Sequence, residues 1–513
     1  IAIRGSRVRA SFGVRSVRIL IDGIPLTEVD GQTRLEPIDL DAVARVEVLR
    51  GPNSTLYGNA SAGVINYVLE EGQKDNRYVE PRFVFGSYDF SKYRVKAAGA
   101  TDKFSWMANY SFMDYGGYRD QSVTRNQRFL GKFKYKFDDH SDLSLVVTYG
   151  QMDGDIPGSL FRSQFETDPR AQQQTLHAIP PATFPANTPY SAFKTFRKDE
   201  RFRPSLTYRN QISEHQEISV TGFFATRDLH HPLCCFNSSF ITLTRIENAA
   251  FAKYTNTVPV FGHENRLIVG YDWQDQNSVN KNFANVLGAP GQQQTFTQER
   301  INQDGVYLQN EFKVTDQIEL VGGLRYSQVR FKVQDHLRFS GIDASSRRNF
   351  SQTTGLGGIR YSPVPWANFY LTVGQSFETP TGSEFRNPLT ANGAGLNPGI
   401  QPQTSTNYEV GVKGAVGETF YYDVALYRQH FTDELLRFST GFTGPCNIFA
   451  PCFRNAGKSD HDGLEVGLAY KPIRPVTMQV AYTYADYRFR DYLVNGAQLA
   501  GRTLPGVPTH RLV

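Results

Sequence analysis

Three sets of residues in this 513-residue chain have types and spacings suited to chemistry. The first is "HHPLCC" at His230–Cys235, with Cys446 and Cys452 flanking "NIFAP" further on. Imidazole and thiolate are ligands for zinc or copper. Four cysteines in polar surroundings also suit an oxidising compartment, where Cys234, Cys235, Cys446 and Cys452 would pair in one of three connectivities. Disulfides are the stronger expectation, and no metal site is assigned. The second set is cationic. "SRVRASFGVR" and "LTEVDGQTR" carry Arg7, Arg9, Arg15, Gln32 and Arg34, with Phe12 among them. Guanidinium forks grip carboxylates in bidentate fashion and keep their charge at any relevant pH. The third set is Arg4 and Arg50, each just before a glycine, with Glu409 and Glu465 far along the chain. There is no nucleophile elbow, HExxH, P-loop or dinucleotide fingerprint, so an enzyme is not expected.

These residues need elements to hold them. After residue 77 the pattern alternates with period two almost throughout. Leu143, Leu145, Val147 and Tyr149 share one face, opposite Asp142, Ser144 and Thr148. Phe369, Leu371 and Val373 oppose Asn368, Tyr370 and Thr372. Met478, Val480, Tyr482 and Tyr484 oppose Thr477, Gln479 and Thr483. Strands of about ten residues suit a tilted membrane crossing. Tight turns ("FDDHSD", "YSPVPW", "GAVGE", "KPIRP") alternate with long polar stretches at Asp153–Arg197, Phe377–Gln403 and Asp433–Lys458. Short turns on one side and long loops on the other are the asymmetry of outer-membrane barrels. Roughly 17 or 18 strands are expected. Apolar content of 40% with 13% aromatics fits, since barrel strands only alternate. No run of about 18 apolar residues offers a helical span. A net charge of +5 without a basic tract gives no case for nucleic acid. A barrel this wide has an open lumen unless something fills it. The α+β segment ahead of it is the filler: "VRILIDGIP" as strand and Asp-Gly turn, then a short helix capped by Asp39, then "VARVEVL".

"IRG" at Ile3–Gly5, "ILIDGIP" at Ile19–Pro25, "VEVLRGP" at Val46–Pro52, "LYG" at Leu56–Gly58 and "GVIN" at Gly63–Asn66 resemble, in order and spacing, the plug of TonB-dependent outer-membrane receptors. "SFETPTGSEF", "GLNPGIQPQTSTNYEVGVKG", "NAGKSDHDGLEVGL" and "LPGVPTHRL" resemble the family's later strands. Ala62 and Gln403 depart from its usual Gly and Glu. The resemblance implies a transmembrane antiparallel β-barrel of the family type, about 22 strands when complete, with an N-terminal plug in the lumen. Residues 1–72 are then the plug and 73–513 the barrel. The chain is expected to be a fragment lacking both ends, with two open sheet edges that lipid does not tolerate.

The resemblance also implies function. The expected protein is an energy-dependent importer of a ferric siderophore or ferric citrate in the bacterial outer membrane. Its partners would be outer-membrane lipid and a TonB-type periplasmic energy-coupling protein. It would have no cofactor of its own, because iron travels within the chelate. Uptake of cobalamin, copper or a glycan is the alternative on the same fold; a passive porin or an adhesin is the alternative class. Family receptors are similar in locking two plug arginines to two barrel glutamates, and in this sequence those are Arg4 and Arg50 with Glu409 and Glu465. Alternation supports the geometry: Tyr408, Val410 and Val412 share a face that Glu409 does not, and Leu464, Val466 and Leu468 a face that Glu465 does not. The ligand is expected at the plug apex, on Arg7, Arg9, Phe12, Arg15, Gln32 and Arg34.

Overall fold

In the computed structural model the described residues are all except 1, 2, 7–12, 52, 53, 174–189, 235–238, 339, 340, 342, 386–394, 440–445, 447–451, 495 and 496. The N-terminal unit is a four-stranded mixed sheet of β1 (Val17–Ile21), β2 (Ile24–Pro25), β3 (Val43–Arg50) and β4 (Gly63–Leu69), in the order β2-β1-β4-β3. Asp22 turns β1 into β2 with φ 50° and accepts from the Leu69 amide at 2.9 Å, tying the hairpin to β4. Leu40–Ala42 makes a single helical turn, capped by the Asp39 carboxylate on the Asp41 amide at 3.2 Å. That bond satisfies one of the amides a helix start leaves without an internal partner. Apolar β1 and β4 are buried, and β3 lies at the sheet edge with Val46 and Val48 exposed.

The rest is one antiparallel sheet. Its first half runs β5 (Tyr78–Gly86), β6 (Phe90–Ala100), β7 (Phe104–Tyr115), β8 (Thr124–Lys136), β9 (Ser141–Asp155), β10 (Phe196–Ser213), β11 (Gln216–Pro232), β12 (Ser239–Asn256) and β13 (Asn265–Val286). It continues β14 (Ala289–Lys313), β15 (Ile318–Asp335), β16 (Ser346–Val364), β17 (Ala367–Glu378), β18 (Gln403–Val416) and β19 (Phe420–Thr432). A small hairpin, β20 (Leu435–Phe438) with β21 (Cys452–Asn455), interrupts it before β22 (Lys458–Ile473) and β23 (Val476–Asp491). A second hairpin, β24 (Leu493–Val494) with β25 (Ala497–Gln498), precedes β26 (His510–Leu512).

Two expectations are corrected. The first concerns the sheet edges: eighteen strands form a closed ring, in which the three-residue β26 lies between β23 and β5 and pairs with β23 at Tyr482–Tyr484. The strands are also longer than about ten residues, reaching 25 in β14. Their ladders continue past the span lipid requires, and β9 and β10 reach two or three residues into the stretch expected to be a loop at Asp153–Arg197. The alternation holds. Phe369, Leu371 and Val373 point out of the ring, as do Tyr408 and Val410, while Glu409 and Glu465 are buried inside. The plug sheet fills the lumen. Val17, Ile19, Ile21, Ile65 and Leu69 join one apolar cluster with Ala98, Met107, Leu130, Val146, Phe223 and Ala249 of the wall.

Candidate functional site

The first site is where the plug meets β18, β19 and β22. Arg4 sits in a tight turn closed by the Ser6 amide on the Ile3 carbonyl at 2.9 Å. Both Arg4 and Gly5 have positive φ. A side chain at Gly5 would start 2.6 Å from the Tyr487 ring, so glycine lets the backbone lie against the wall. The Arg4 guanidinium is buried. Its Nη1 donates to Glu409 Oε2 at 2.7 Å, and its Nη2 and Nε to the two Glu465 oxygens at 2.9 and 3.4 Å. Its face lies 3.9 Å over the Tyr427 ring. Tyr370 donates to Glu409 Oε1 at 3.0 Å, and the Tyr427 and Tyr487 hydroxyls share a hydrogen bond of 2.7 Å. Burial opposes the charge on Arg4, but Glu465 and Glu409 outweigh it and raise its pKa further.

Arg50 ends β3, and its Nη1 reaches Glu465 Oε2 at 3.2 Å. Its Nη2 pairs with Asp423 of β19, a partner absent from the sequence reading. The signal for it was present: Asp423, Ala425 and Tyr427 share the inward face by the same alternation. Arg50 and Asp423 are each about a third exposed, so that pair contributes at most about 1 kcal/mol. Gly51, at φ 82°, would place a Cβ 3.2 Å from Arg4 Nη1 and 3.3 Å from Glu409 Oε2. Gly51→Ala is therefore expected to lower the denaturant stability of the plug by more than Gly23→Ala does. Gly23 has φ 81° with nothing within 4 Å, so it reports the backbone cost alone, about 1–2 kcal/mol. Equal losses would show that the lock tolerates crowding.

The second site lies between the plug and β10–β12. Every second residue of "RKDERFR" faces inward, bringing Arg197, Asp199, Arg201 and Arg203 to the lumen, and Arg227 and Arg245 join them. Glu28 of the plug accepts from Arg201 Nη1 at 2.9 Å, pairs with Arg245, and has Arg227 at 3.8 Å. Burial pushes its carboxyl pKa up, but Arg245, Arg201 and Arg227 prevail and hold it at about 2. Asp199 takes Arg227 at 2.8 Å and Arg201 at 3.1 Å, and Glu36 takes Arg197 at 3.0 Å. A small cleft lies among Leu26, Glu28, Arg201, Arg203, Arg245 and Glu247. Arg203 is buried with its guanidinium 3.7 Å over Phe223, and its Nε and Nη2 have no hydrogen-bond partner.

Arg34 belongs to this basin. Burial, then Arg197 and Arg227, lower its pKa to about 10. Gln32 turns inward, its amide side chain donating to Asp30 at 3.2 Å. Arg15 is buried and donates to the Asp30 carbonyl at 3.2 Å, the Thr379 carbonyl at 3.0 Å and Glu384 at 3.3 Å, which ties the plug to the barrel. Arg7, Arg9 and Phe12 lie outside the described residues. Cys446 and Cys452 are bonded to each other, and Cys234 is also in a disulfide; Cys235 lies outside the described residues. His231 Nδ1 is engaged by the Phe196 carbonyl at 2.8 Å.

Residues 53–513 match the family model described as TonB dependent receptor-like, β-barrel, and residues 1–65 match the TonB-dependent Receptor Plug Domain. The ferrioxamine receptor of Yersinia enterocolitica is 20% identical over 92% of this chain and 66% of its own length. The chain spans 56 to 66% of the curated relatives it resembles. Among solved structures, the ferric citrate transporter FecA in its unliganded form superposes with a TM-score of 0.78 at 17% identity, covering 98% of this chain and 74% of that one. The copper transporter OprC superposes with a TM-score of 0.74 at 15% identity, covering 97% and 74%. At these identities the likeness is one of fold.

Proposed function

The chain belongs to the TonB-dependent receptors, plugged β-barrels of the bacterial outer membrane, and on that premise we propose that it imports a ferric siderophore or ferric citrate whose carboxylates meet the arginine basin. Relatives named for ferrioxamine, hemin and vitamin B12, and a structural neighbour named for copper, share the fold, so the cargo is argued from the site. One observation carries the reading. Arg34, Arg197, Arg201, Arg203, Arg227 and Arg245 gather around Glu28, Asp30, Glu36, Asp199 and Glu247, and among the described residues Arg203 Nε and Nη2 meet no acceptor. A buried, uncompensated guanidinium is unfavourable until an anion approaches it. An anionic chelate supplies that anion, and a neutral cargo does not. Energy would reach the plug from a TonB-type periplasmic partner, with no reaction catalysed on the cargo.

The test is calorimetric binding by the full-length receptor against ferric citrate, a ferric hydroxamate, a ferric catecholate, cyanocobalamin and copper(II). Ferric citrate or another carboxylate chelate is expected to bind most tightly. Arg203→Leu should weaken it about 10- to 100-fold, the worth of a hydrogen bond to a charged group, about 1.5–3 kcal/mol. The same change should leave stability within about 1 kcal/mol of the parent, because it removes a buried guanidinium whose Nε and Nη2 meet no acceptor among the described residues. Unchanged affinity in Arg203→Leu, or tightest binding of a neutral cargo, would overturn the reading.

A further inference from the structure

The outer surface of the barrel carries its charges unevenly, and we infer that β13 to β16 form a binding face for the phosphorylated headgroup of an outer-leaflet glycolipid. Alternation separates the two faces of these strands. Ile301, Gln303, Val329, Phe331 and Phe350 turn inward and are buried. Val306, Leu308, Leu320, Leu324 and Ile359 turn outward and are exposed, which makes the lipid-facing band. Tyr271 and Tyr326 pair on either side of Val306 at the outer margin of that band, where aromatic rings suit a membrane–water boundary. The short turn at 314–317 joins β14 to β15 at the opposite, periplasmic end.

Beyond the tyrosines the same outward face becomes cationic. Register places Arg300 opposite Lys332, and Lys332 opposite Arg347, so three cations stand side by side on three strands. Arg330 lies one outward position nearer the lipid, and Lys281 of β13 stands further out, over the Phe296 ring at 4.8 Å. Among the described residues two carboxylates face out on these four strands. Asp275 accepts from Arg300 Nε at 2.8 Å, and Asp304 from Arg330 Nη1 at 2.7 Å. Neither Lys332 nor Arg347 forms a salt bridge among the described residues. The rim elsewhere is matched. On β19, β22 and β23, Arg428 pairs with Asp462 at 2.7 Å, Arg488 with Asp486 at 2.8 Å, and Arg490 with Asp460.

Like charges directly opposite on neighbouring strands are destabilising. An anion lying across the row of three reverses that cost. Guanidinium forks and an ammonium group suit phosphate and carboxylate oxygens. Lys332 stands six residues beyond Tyr326, about 20 Å along the strand and about 15 Å along the membrane normal at a tilt of about 40°. That height is past the acyl chains and level with charged sugars. The outer leaflet of this membrane presents phosphorylated sugars on a lipid anchor, and the apolar band directly below takes the acyl chains. One molecule thus meets both parts of the face, which free phosphate does not. The transported cargo is a separate matter, since this face points away from the lumen and from the arginine basin.

The test is binding of purified lipopolysaccharide to the full-length receptor in detergent micelles, beside the same glycolipid after dephosphorylation and beside inorganic phosphate. The parent should bind the phosphorylated glycolipid on the order of tenfold more tightly than the dephosphorylated one, and far more tightly than inorganic phosphate. Lys332→Gln with Arg347→Gln should weaken that binding about 10- to 30-fold, and Arg347→Gln alone about fivefold. Arg488→Gln with Asp486→Asn, on the matched part of the rim, should leave it within about twofold. Cargo affinity should be the same in every variant, which reports that each is folded. Equal glycolipid affinity in the parent and the Lys332 and Arg347 variants, or equal binding of the two glycolipids, would overturn the inference. Inorganic phosphate binding as tightly as the glycolipid would overturn it too, by showing an anion site that needs no lipid. Each of these results leaves the cargo reading standing.

Discussion

Arg4→Met is expected to lower the stability of the seated plug by about 3–5 kcal/mol, the cost of stranding buried carboxylates. The Arg4 side chain is 1% exposed, and those of Glu409 and Glu465 are 10% and 11% exposed. Methionine keeps the contact with Tyr427 but removes three charge-assisted hydrogen bonds. Arg50→Met should cost only about 1 kcal/mol, because its carboxylates share a more solvated site. The triple change Arg4→Met, Glu409→Gln, Glu465→Gln should recover most of the loss, since neutralising a whole buried ion cluster is far cheaper than breaking it. The measurements are the denaturant midpoint of plug unfolding and conductance in planar bilayers. The single change should leak ions, and the triple change should leak less. A midpoint for Arg4→Met within about 0.5 kcal/mol of the parent would sink the idea that these residues lock the plug.

Glu465 is shared by Arg4 and Arg50, so parting it weakens both arginines at once. The Asp423 pair is exposed enough for water to take over its hydrogen bonds as it opens. The seam nearest the lock is lined by Ser6, Ser16, Ser61, Gln403, Gln429 and His461 together with Phe431 and Leu435.

How much of this was legible in the sequence follows from period two. Glu409 and Glu465 could be placed inside because their neighbours Tyr408, Val410, Leu464 and Val466 are apolar and alternate with them. Asp423 obeys the same rule, but a short carboxylate between Tyr422 and Val424 gives no hint of which arginine it meets. The basin on β10–β12 was harder. "RKDERFR" has charges on both faces, and apolar alternation is lost where the strand outruns the lipid, so period two assigns none of these residues to the lumen. Arg15 could not be distinguished from its neighbours because its burial depends on Gly31, where a Cβ would lie 2.3 Å from Arg15 Nη1. Closure by β26 was illegible for a simpler reason: three residues are too few to show a period.

Glu28→Gln is expected to produce the second large effect, and its pH dependence identifies the cause. Glu28 is the plug carboxylate among Arg201, Arg227 and Arg245. Removing its charge at neutral pH leaves buried guanidinium groups under-compensated, at a cost of about 3–5 kcal/mol. In the parent, burial raises the Glu28 pKa, but the arginines bring it to about 2, well below the ordinary value. A carboxyl depressed on folding contributes stability that is fully present above its unfolded pKa of about 4.3 and is lost as pH falls through the folded value. The parent should therefore lose on the order of 3 kcal/mol between about pH 4.5 and pH 2 from this group. Asp30 works in the opposite sense, since burial, and Glu28 among its neighbours, raise its pKa. Its stability contribution grows as pH falls, so the parent's acid limb is the sum of both. Subtracting Glu28→Gln at each pH isolates Glu28, apart from the smaller drop in the Asp30 pKa that losing the Glu28 charge brings. The difference in denaturant midpoint between parent and variant should be large at pH 7 and should shrink towards pH 2. A constant difference across that range would show that Glu28 acts through packing rather than charge, and the basin would then be more cationic toward an incoming anion than its ion pairs suggest.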